Sequence, residues 1–236
     1  MKKEIAVITG GSSGLGLSIA KLLLKKNIIV CLIARNEERL DEVYNSLLKD
    51  FDSSLVLKFC ADVAVEDSVS GLYKMLEDNG FVVRYLFNVA GTGKRLKCED
   101  ASVEVINEVF SGSLIGLINM CSHGIKYIKD NDNKSTIVNV MSSAALKGNA
   151  MESLYCAAKW GARGYTESLR AELKGSDIQV IAVYPGGMKT NFWNDNVGEI
   201  PDISGFMNPD EVADQIVSSV IGKNTILVTD IMISRV

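Results

Sequence analysis

Three side chains whose types and spacing could carry out proton transfer lie in the second half of the chain. Tyr155 and Lys159 are four residues apart, so that on a helix they share one face. A lysine ammonium beside a phenol favours the phenolate, and we therefore expect Lys159 to lower the pKa of Tyr155 toward neutral pH. Such a phenol can act as a general acid or base. Ser142, thirteen positions before Tyr155, adds a hydroxyl that could hold a reacting oxygen.

A glycine-rich stretch near the start of the chain gives this pair a context. On its own, the spacing of Tyr155 and Lys159 also fits an ordinary helix with a half-buried tyrosine and a solvated lysine. Residues 3–8 are rich in β-branched side chains and predict a short buried strand, and an apolar helix is predicted from residue 17 onward. The turn between them has the sequence TGGSSGLG. Strand, glycine-rich turn and helix in this order predict a dinucleotide site, which favours the catalytic interpretation.

Three glycines of this turn have separate roles in phosphate binding. Gly10 permits the tight turn, Gly14 lets the backbone approach a pyrophosphate, and Gly16 allows close packing of helix on strand. The N-terminus of the helix then offers free N–H groups and the positive end of its dipole to the phosphates.

Strand and helix patterns alternate from one end of the chain to the other. This alternation predicts a parallel sheet covered on both faces by helices, with ligands at the carboxyl ends of the strands. The longest helices are predicted at 103–129 and 154–173. Strands are predicted at 5–9, 28–34, 55–60, 85–88, 136–141, 179–183 and 226–228.

Six short motifs occur in a fixed order along the chain, at the predicted strand ends. With them the chain resembles the short-chain dehydrogenase/reductases over nearly its whole length. The motifs are TGGSSGLG at 9–16, Asp62-Val63, Asn88-Val89-Ala90-Gly91, Ser142, Tyr155 with Lys159, and Pro185-Gly-Gly-Met-Lys-Thr190.

The resemblance implies a single-domain Rossmann fold, a doubly wound seven-stranded parallel sheet with helices on both faces. The domain is expected to span 1–236, with a cofactor half at 1–141 and a catalytic and substrate half at 142–236. An aromatic-containing stretch at about 191–208 is expected to act as a substrate lid. In it, Phe192, Trp193, Phe206 and Met207 would form an apolar wall, unless two of them anchor the lid to the core.

The end of the second predicted strand bears on which nicotinamide cofactor is bound. An acidic residue that would bind the ribose 2′-hydroxyl of NAD is absent there; Ala34 is followed by Arg35. A guanidinium is a strong partner for a 2′-phosphate, and Ser12 could add a hydroxyl. The alternative is that Arg35 is only a surface charge. We favour NADP(H), which is also what this arrangement indicates in the resembled family.

The resemblance extends the cofactor site beyond the glycine-rich turn. It implies that Asp62 and Val63 lie at the adenine, that Lys159 holds the nicotinamide ribose, and that the segment after the sixth strand holds the nicotinamide amide. The expected cofactor-binding residues are Gly10, Ser12, Ser13, Gly14, Leu15, Gly16, Arg35, Asp62, Val63, Asn88, Ala90, Gly91, Tyr155, Lys159, Pro185, Gly186, Met188 and Thr190.

The implied reaction is NADP(H)-dependent reduction of a carbonyl to an alcohol, with an apolar or aromatic ketone, aldehyde or diketone as substrate. Tyr155 would donate the proton, Ser142 would hold the oxygen and Lys159 would tune the phenol. Two alternatives remain open at this point. One is an NADP-linked alcohol dehydrogenase that works in the oxidative direction on CH–OH groups. The other is a catalytically weak NADP(H)-binding sensor or scaffold.

One position departs from the family pattern. The family often has an asparagine on the long helix before the fifth strand, where this chain has Ser113. That asparagine is associated with a helix kink whose backbone carbonyl holds a water beside the lysine. Gly112 could permit a similar kink. Ser113 is therefore a further candidate catalytic residue, with a purely structural role as the alternative.

Composition argues against several classes of partner, and the resemblance implies a small-molecule carbonyl or alcohol substrate. A net charge of −4 gives no basic surface for nucleic acid. The five scattered cysteines and one histidine give no metal pattern, so we expect no metal. We see no signal peptide and no membrane-spanning run, and predict a cytoplasmic protein. The resemblance implies a homodimer or homotetramer formed through the two long helices.

Overall fold

The computed structural model describes residues 2–129, 134–193, 202–222 and 226–236. Within these ranges seven parallel strands form one sheet, in the order β3-β2-β1-β4-β5-β6-β7. The strands are β1 Lys3–Thr9, β2 Ile29–Ala34, β3 Val56–Cys60, β4 Phe81–Asn88, β5 Ser135–Val140, β6 Ile178–Pro185 and β7 Asp230–Ile233.

Helices connect the strands and cover both faces of the sheet. They are α1 Gly14–Leu24, α2 Glu37–Leu47, α3 Glu66–Asp78, α4 Val103–Phe110, α5 Gly116–Lys129, α6 Ser153–Glu172 and α7 Pro209–Val220, and a π-helical turn, Ser111–Ile115, joins α4 to α5. This is the predicted fold class, a doubly wound, single-domain Rossmann-type fold, which is confirmed.

Two apolar cores, one on each face, hold the sheet between the helices. Along β1, Ile5 and Val7 point to the core under α3, α5 and α6, whereas Ala6 and Ile8 point to the core under α1, α2 and α7. All four side chains are fully buried. Strand geometry causes this alternation, since successive side chains point to opposite faces. Each fully buried aliphatic side chain of this size contributes roughly 1.5–3 kcal/mol.

The direction of winding reverses between β1 and β4, and the sheet opens there at its carboxyl edge. Thr9, at the end of β1, closes the base of this crevice. Its Oγ1 accepts hydrogen bonds from the backbone N–H groups of Val89 at 2.9 Å and Ala90 at 3.0 Å. Ligands of open parallel sheets bind at such a reversal point.

The last strand lies four residues later than predicted, at Asp230–Ile233 and not at 226–228. The apolar run at 226–228 has strand-forming residues, but Ile226 and Leu227 are about half exposed or more. Pairing with β6 decides the position, since Ala182 aligns with Asp230 and Pro185 with Ile233. Local propensity therefore yields here to tertiary pairing.

The segment Val103–Lys129 corrects the expectation that no run is long enough to cross a membrane. It has 27 residues and contains an 18-residue window with a mean hydropathy of 1.3, which by length and composition alone would suffice for a span. A single helix of this kind is weak evidence, because helices in the core of soluble proteins pass the same test. Here α5 packs on the sheet through residues such as Leu117, Met120 and Cys121.

The exposure of the α6 side chains decides which of them could contact another protomer. Small and aromatic residues of α6 that could pack against a partner protomer are Ala157, Ala158, Trp160 and Ala162. The structure buries Ala158 and Ala162 completely within the protomer, whereas Trp160 is 48% exposed. Assembly through α6 would thus use Trp160 and its exposed neighbours, and it stays a prediction.

Candidate active site

A cavity of about 670 Å³ follows the carboxyl edge of the sheet from the glycine-rich turn to the end of β7. It brings together side chains and backbone from segments far apart in the chain. Its wall contains all but two of the predicted site residues, namely Gly10, Ser12, Ser13, Gly14, Leu15, Gly16, Arg35, Asp62, Val63, Ala90, Gly91, Ser142, Tyr155, Lys159, Pro185, Gly186, Met188 and Thr190.

The glycine-rich turn places the N-terminus of α1 at this wall. The first hydrogen bond of the helix runs from Leu17 N–H to Ser13 C=O, and the N–H groups before it have no partner within the helix. A Cβ on Gly16 would lie 2.3 Å from the carbonyl oxygen of Gly10, so only glycine lets the helix start so close to the strand. The turn is thus a backbone cradle whose size and polarity fit a phosphate group.

Two arginines lie at the end of the cavity beside the β2 carboxyl end. Arg35 follows β2, as predicted, and Arg39 lies on the first turn of α2. The side chain of Asn36 caps this helix by accepting from the Arg39 N–H at 2.8 Å. Sequence reasoning missed Arg39, although its place just inside a helix start near Arg35 was a readable signal.

Ser142, Tyr155 and Lys159 converge at the middle of the cavity. Tyr155 and Lys159 share the inward face of α6, and the Lys159 Nζ lies 5.7 Å from the centroid of the Tyr155 ring. The Ser142 side chain lies close enough to the phenol to influence its pKa. Its Oγ also accepts from the Ala144 N–H at 3.2 Å. Lys159 is 3% exposed and donates to the Val140 carbonyl at 3.3 Å.

Burial has opposite effects on the two ionisable groups of this trio. Desolvation raises the pKa of Tyr155 above its ordinary value; the hydrogen bond from Ser142 opposes this rise and the charge of Glu152 adds to it. The expected lowering of the Tyr155 pKa is therefore wrong in this structure, because the expectation counted charge and not loss of water. Desolvation lowers the pKa of Lys159 to about 8. At neutral pH the phenol carries its proton, and most Lys159 side chains are charged.

The π-helical turn between α4 and α5 lies directly behind this trio. Its backbone bond runs from Gly116 N–H to Ser111 C=O, one residue longer than in an α-helix. A Cβ on Gly112 would lie 2.5 Å from the Thr92 Oγ1, so the widened turn needs glycine there. The Ser113 hydroxyl accepts from the Thr92 N–H at 2.9 Å and donates to the Thr92 carbonyl at 2.6 Å.

Ser113 is close to the reaction centre without lying in its wall. A Cβ on Gly91 would be 3.5 Å from the Ser113 Oγ and 3.3 Å from the Lys159 Nζ, so both groups lie beside the open face of Gly91. Both hydrogen bonds of the Ser113 hydroxyl go to the Thr92 backbone. Ser113 thus holds the 91–92 loop in place through these two hydrogen bonds.

Asn88 is the other predicted site residue that the structure keeps away from the wall. Its side chain is 3% exposed, and its Nδ2 donates to the Asn139 Oδ1 at 2.8 Å. Asn139 in turn donates to the Thr166 Oγ1 at 3.0 Å, which links β4 and β5 to α6. The asparagine thus joins the sheet to the helix that carries Tyr155.

Three aromatic rings continue the wall beyond Tyr155. Ring centroids are 5.6 Å apart for Tyr155 and Phe192, 5.3 Å for Phe192 and Trp193, and 5.3 Å for Trp193 and Phe206. Met207 instead packs on the core below α1 and α7, so it anchors this stretch. The middle of the predicted lid, 194–201, lies outside the described residues.

The same end of the cavity contains polar residues that sequence reasoning did not assign to the site. Asn149 and Glu152 precede α6 without a recognisable pattern, whereas Ser234 and Arg235 follow β7 and would have been found had that strand been placed correctly. The unassigned lining residues at this end are Lys147, Asn149, Glu152, Ser234 and Arg235.

Lys94 and Arg95 follow Gly91 after β4, and each has a carboxylate nearby. The Lys94 Nζ is 3.2 Å from Glu108, and the Arg95 Nε is 3.8 Å from Glu152. Their charges are largely balanced within the protein. In the described part of the chain, no group of three or more histidine, cysteine or acidic side chains is arranged to hold a metal ion.

Comparison with known proteins agrees with this geometry. The family described as short chain dehydrogenase matches residues 4–199, which include the glycine-rich turn, Ser142, Tyr155 and Lys159. The chain belongs to this family. It is an oxidoreductase of the short-chain dehydrogenase type, and members of the family bind a nicotinamide cofactor.

Relatives of this short-chain dehydrogenase cover most of its length. It is 30% identical to carbonyl reductase family member 4 of Xenopus laevis over 217 residues, 90% of this chain and 89% of that protein. It is 31% identical to the human 3-oxoacyl-[acyl-carrier-protein] reductase over 197 residues, 81% of this chain and 78% of that protein. A crystal structure of a short-chain dehydrogenase/reductase from Vibrio parahaemolyticus, 31% identical, superposes with a TM-score of 0.84 and covers 98% of this chain and all of that one.

Proposed function

We propose that this short-chain dehydrogenase is an NADP(H)-dependent carbonyl reductase that converts an apolar or aromatic ketone, aldehyde or diketone to the alcohol. The observation that carries the proposal is the convergence of Ser142, Tyr155 and the buried Lys159 amine on the wall of one continuous cavity. The similarity to a carbonyl reductase of Xenopus laevis supports the same reaction class.

The nicotinamide cofactor, when bound, supplies the hydride. The residues present fit such a group along the whole cavity. The α1 N-terminus would bind its phosphates, and the segment after β6 would hold the nicotinamide end through Met188 and Thr190. The Thr190 side chain approaches the glycine-rich turn, since a Cβ on Gly14 would be 3.1 Å from its Cγ2. The pyrophosphate and the nicotinamide of the cofactor would therefore be held by adjoining segments.

The chain's own residues account for the proton and for the developing charge. As hydride reaches a carbonyl carbon, negative charge grows on the oxygen. Tyr155, protonated at neutral pH, donates its proton to that oxygen, while the Ser142 hydroxyl holds the oxygen by a second hydrogen bond. The Lys159 ammonium, in a site with little water, stabilises the resulting phenolate more than it would in bulk solvent. A phenol that carries its proton at neutral pH is in the form that assists reduction, whereas alcohol oxidation needs the phenolate as base.

Preference for NADP(H) is supported by the two arginines at the far end of the cavity. Arg35 and Arg39 both line this end, and no aspartate or glutamate stands at the end of β2, where Ala34 precedes Arg35. A doubly charged 2′-phosphate there would have guanidinium groups as partners, whereas the 2′-hydroxyl of NAD carries no charge for them to bind.

The deciding experiment follows oxidation of NADPH and NADH against a panel of apolar and aromatic carbonyl compounds. Tyr155→Phe should lower turnover at least ~100-fold while the protein still folds and still binds the cofactor, because the proton donor is lost and little volume is removed. Tyr165→Phe is the matched control, since this tyrosine lies on the same helix but not in the cavity wall. Tight NADPH binding with no turnover of any carbonyl compound would instead support a sensor or scaffold.

A further inference from the structure

Arg235 lies at the substrate end of the cavity, two residues beyond β7. Its guanidinium carbon is 5.8 Å from the centroid of the Phe206 ring. Phe206 is itself seated on the segment after β6, because a Cβ on Gly187 would lie 2.6 Å from the ring. The contact places this cation beside the proposed nicotinamide segment, at the opposite end from Arg35.

The charge of Arg235 is not balanced by a neighbour in the described ranges. No carboxylate of those residues lies within ion-pair distance of it, and its described partner is the Phe206 ring. By contrast, Arg95 pairs with Glu152 and Lys94 with Glu108. Counted over the residues that the structure describes, this end of the cavity therefore has an excess of positive charge.

Between Arg235 and the proton donor runs the aromatic wall. Its rings follow one another from Tyr155 through Phe192 and Trp193 to Phe206, with centroids 5.3–5.6 Å apart. A substrate that reaches both ends must place its carbonyl at Tyr155, lay an apolar stretch along the rings, and end at the guanidinium.

We infer that Arg235 is a specificity-determining residue that binds a carboxylate at the far end of the substrate. The inference rests on the proposed reductase function and narrows its substrate class. The substrates are carbonyl compounds whose carboxylate is separated from the carbonyl by an aromatic or alkyl spacer. A guanidinium presents two parallel N–H donors to a carboxylate, and the Phe206 face holds its plane while excluding water from one side.

The test uses an aryl methyl ketone with a carboxylate on a short alkyl chain, together with its methyl ester. For the unmodified protein, kcat/KM should be higher for the acid than for the ester. Arg235→Met should reduce that preference at least ~tenfold by weakening the acid alone, since a charge-assisted contact is lost. Arg235→Lys should keep part of the preference. Lys74→Met, which removes an exposed cation of α3 outside the cavity, should change nothing.

A binding measurement makes the test independent of turnover. Calorimetry should show that an arylalkyl carboxylate without a carbonyl binds the unmodified protein more tightly than its amide, and that Arg235→Met removes the difference. Equal binding of the two compounds by the unmodified protein would overturn the inference even if ketone reduction is found.

Two further outcomes would also overturn it. If Arg235→Met weakens NADPH binding and leaves the acid-to-ester ratio intact, the anion at Arg235 is a phosphate of the cofactor. If Lys147→Met and not Arg235→Met removes the preference, the other cation of this end binds the carboxylate. Failure to reduce either ketone, with the acid still bound through Arg235, would count against the reductase proposal alone.

Discussion

The phosphate end and the substrate end of the cavity are built in different ways. At the phosphate end, one uninterrupted segment supplies backbone N–H groups, and Gly16 is packed so tightly that a Cβ would lie 2.3 Å from a carbonyl oxygen. At the substrate end, side chains from 147–155, 192–193, 206 and 234–235 meet, and several of them are partly exposed. Backbone recognition suits a ligand that is constant, whereas side chains on separate loops can change with the substrate.

The difference predicts how each end tolerates substitution, and the largest effect is expected at Gly16. Gly16→Ala should cost more than about 3 kcal/mol of stability or abolish cofactor binding, because the carbonyl of Gly10 cannot move aside without breaking the turn. Gly164→Ala is the control: it lies on α6 with nothing within 4 Å of an added Cβ, and it should stabilise the fold by about 0.5–1 kcal/mol. Thermal unfolding and cofactor titration would show both effects. Normal stability together with normal cofactor affinity in Gly16→Ala would contradict the prediction that the phosphate end tolerates no added side chain there.

Lys159 lies between the phosphate end and the substrate end of the cavity. Its buried charge should support catalysis and at the same time lower the stability of the fold. Its pKa is lowered to about 8 from an ordinary 10.5, so below pH 8 the folded protein keeps a buried charge at a cost that disappears as pH rises toward 10.5. Lys159→Met should raise the free energy of unfolding at pH 7 by about 1–3 kcal/mol while abolishing most activity. The gain should shrink between pH 8 and 10.5. Denaturant unfolding at several pH values would check this, and a variant less stable at pH 7 would contradict it.

Activity of the unmodified protein should respond to the same titration. As pH rises through about 8, Lys159 loses the charge that stabilises the phenolate. We therefore expect kcat/KM for ketone reduction to fall above pH 8. The negative phosphates of the bound cofactor should raise the midpoint of this fall, because they stabilise the charged form of Lys159. A rate that stays flat to pH 10 would show that the charge of Lys159 is not required.

At the phosphate end, the charge of Arg35 offers a smaller and more selective change. Arg35→Ala should weaken NADPH binding about ten- to a hundredfold, or roughly 1.5–3 kcal/mol, and leave NADH binding unchanged. Arg39→Ala should have the same direction of effect. Tighter binding of NADH than NADPH by the unmodified protein would refute the cofactor assignment.

The smallest effect on rate is expected at Ser113, behind the centre of the cavity. Ser113→Ala leaves a buried backbone N–H and C=O of Thr92 without partners, which should lower stability by about 1–3 kcal/mol. Its effect on kcat should be less than about threefold if the π-helical backbone, and not the hydroxyl, supports the reaction centre. Ser113→Asn tests the alternative. A rise in kcat would mean that proton transfer beside Lys159 is incomplete without the asparagine that the family often has at this position.

The sequence alone predicts those features that depend on residues only a few positions apart. The glycine-rich turn, the alternating cores on β1 and the shared face of Tyr155 and Lys159 depend on neighbours within a few positions. For this reason the fold class was predicted correctly, and most of the predicted site residues lie on one cavity wall.

What the tertiary structure alone decided involves contacts between distant segments. Pairing with β6 set the position of β7 and so brought Arg235 to the cavity, although the local pattern favoured a strand at 226–228. Burial by surrounding segments raised the pKa of Tyr155, which the charge of Lys159 alone would have lowered. Sequence periodicity records which face of an element is apolar, but not which partner covers it. Desolvation and long-range pairing depend on that partner, and they are therefore fixed only when the chain has folded.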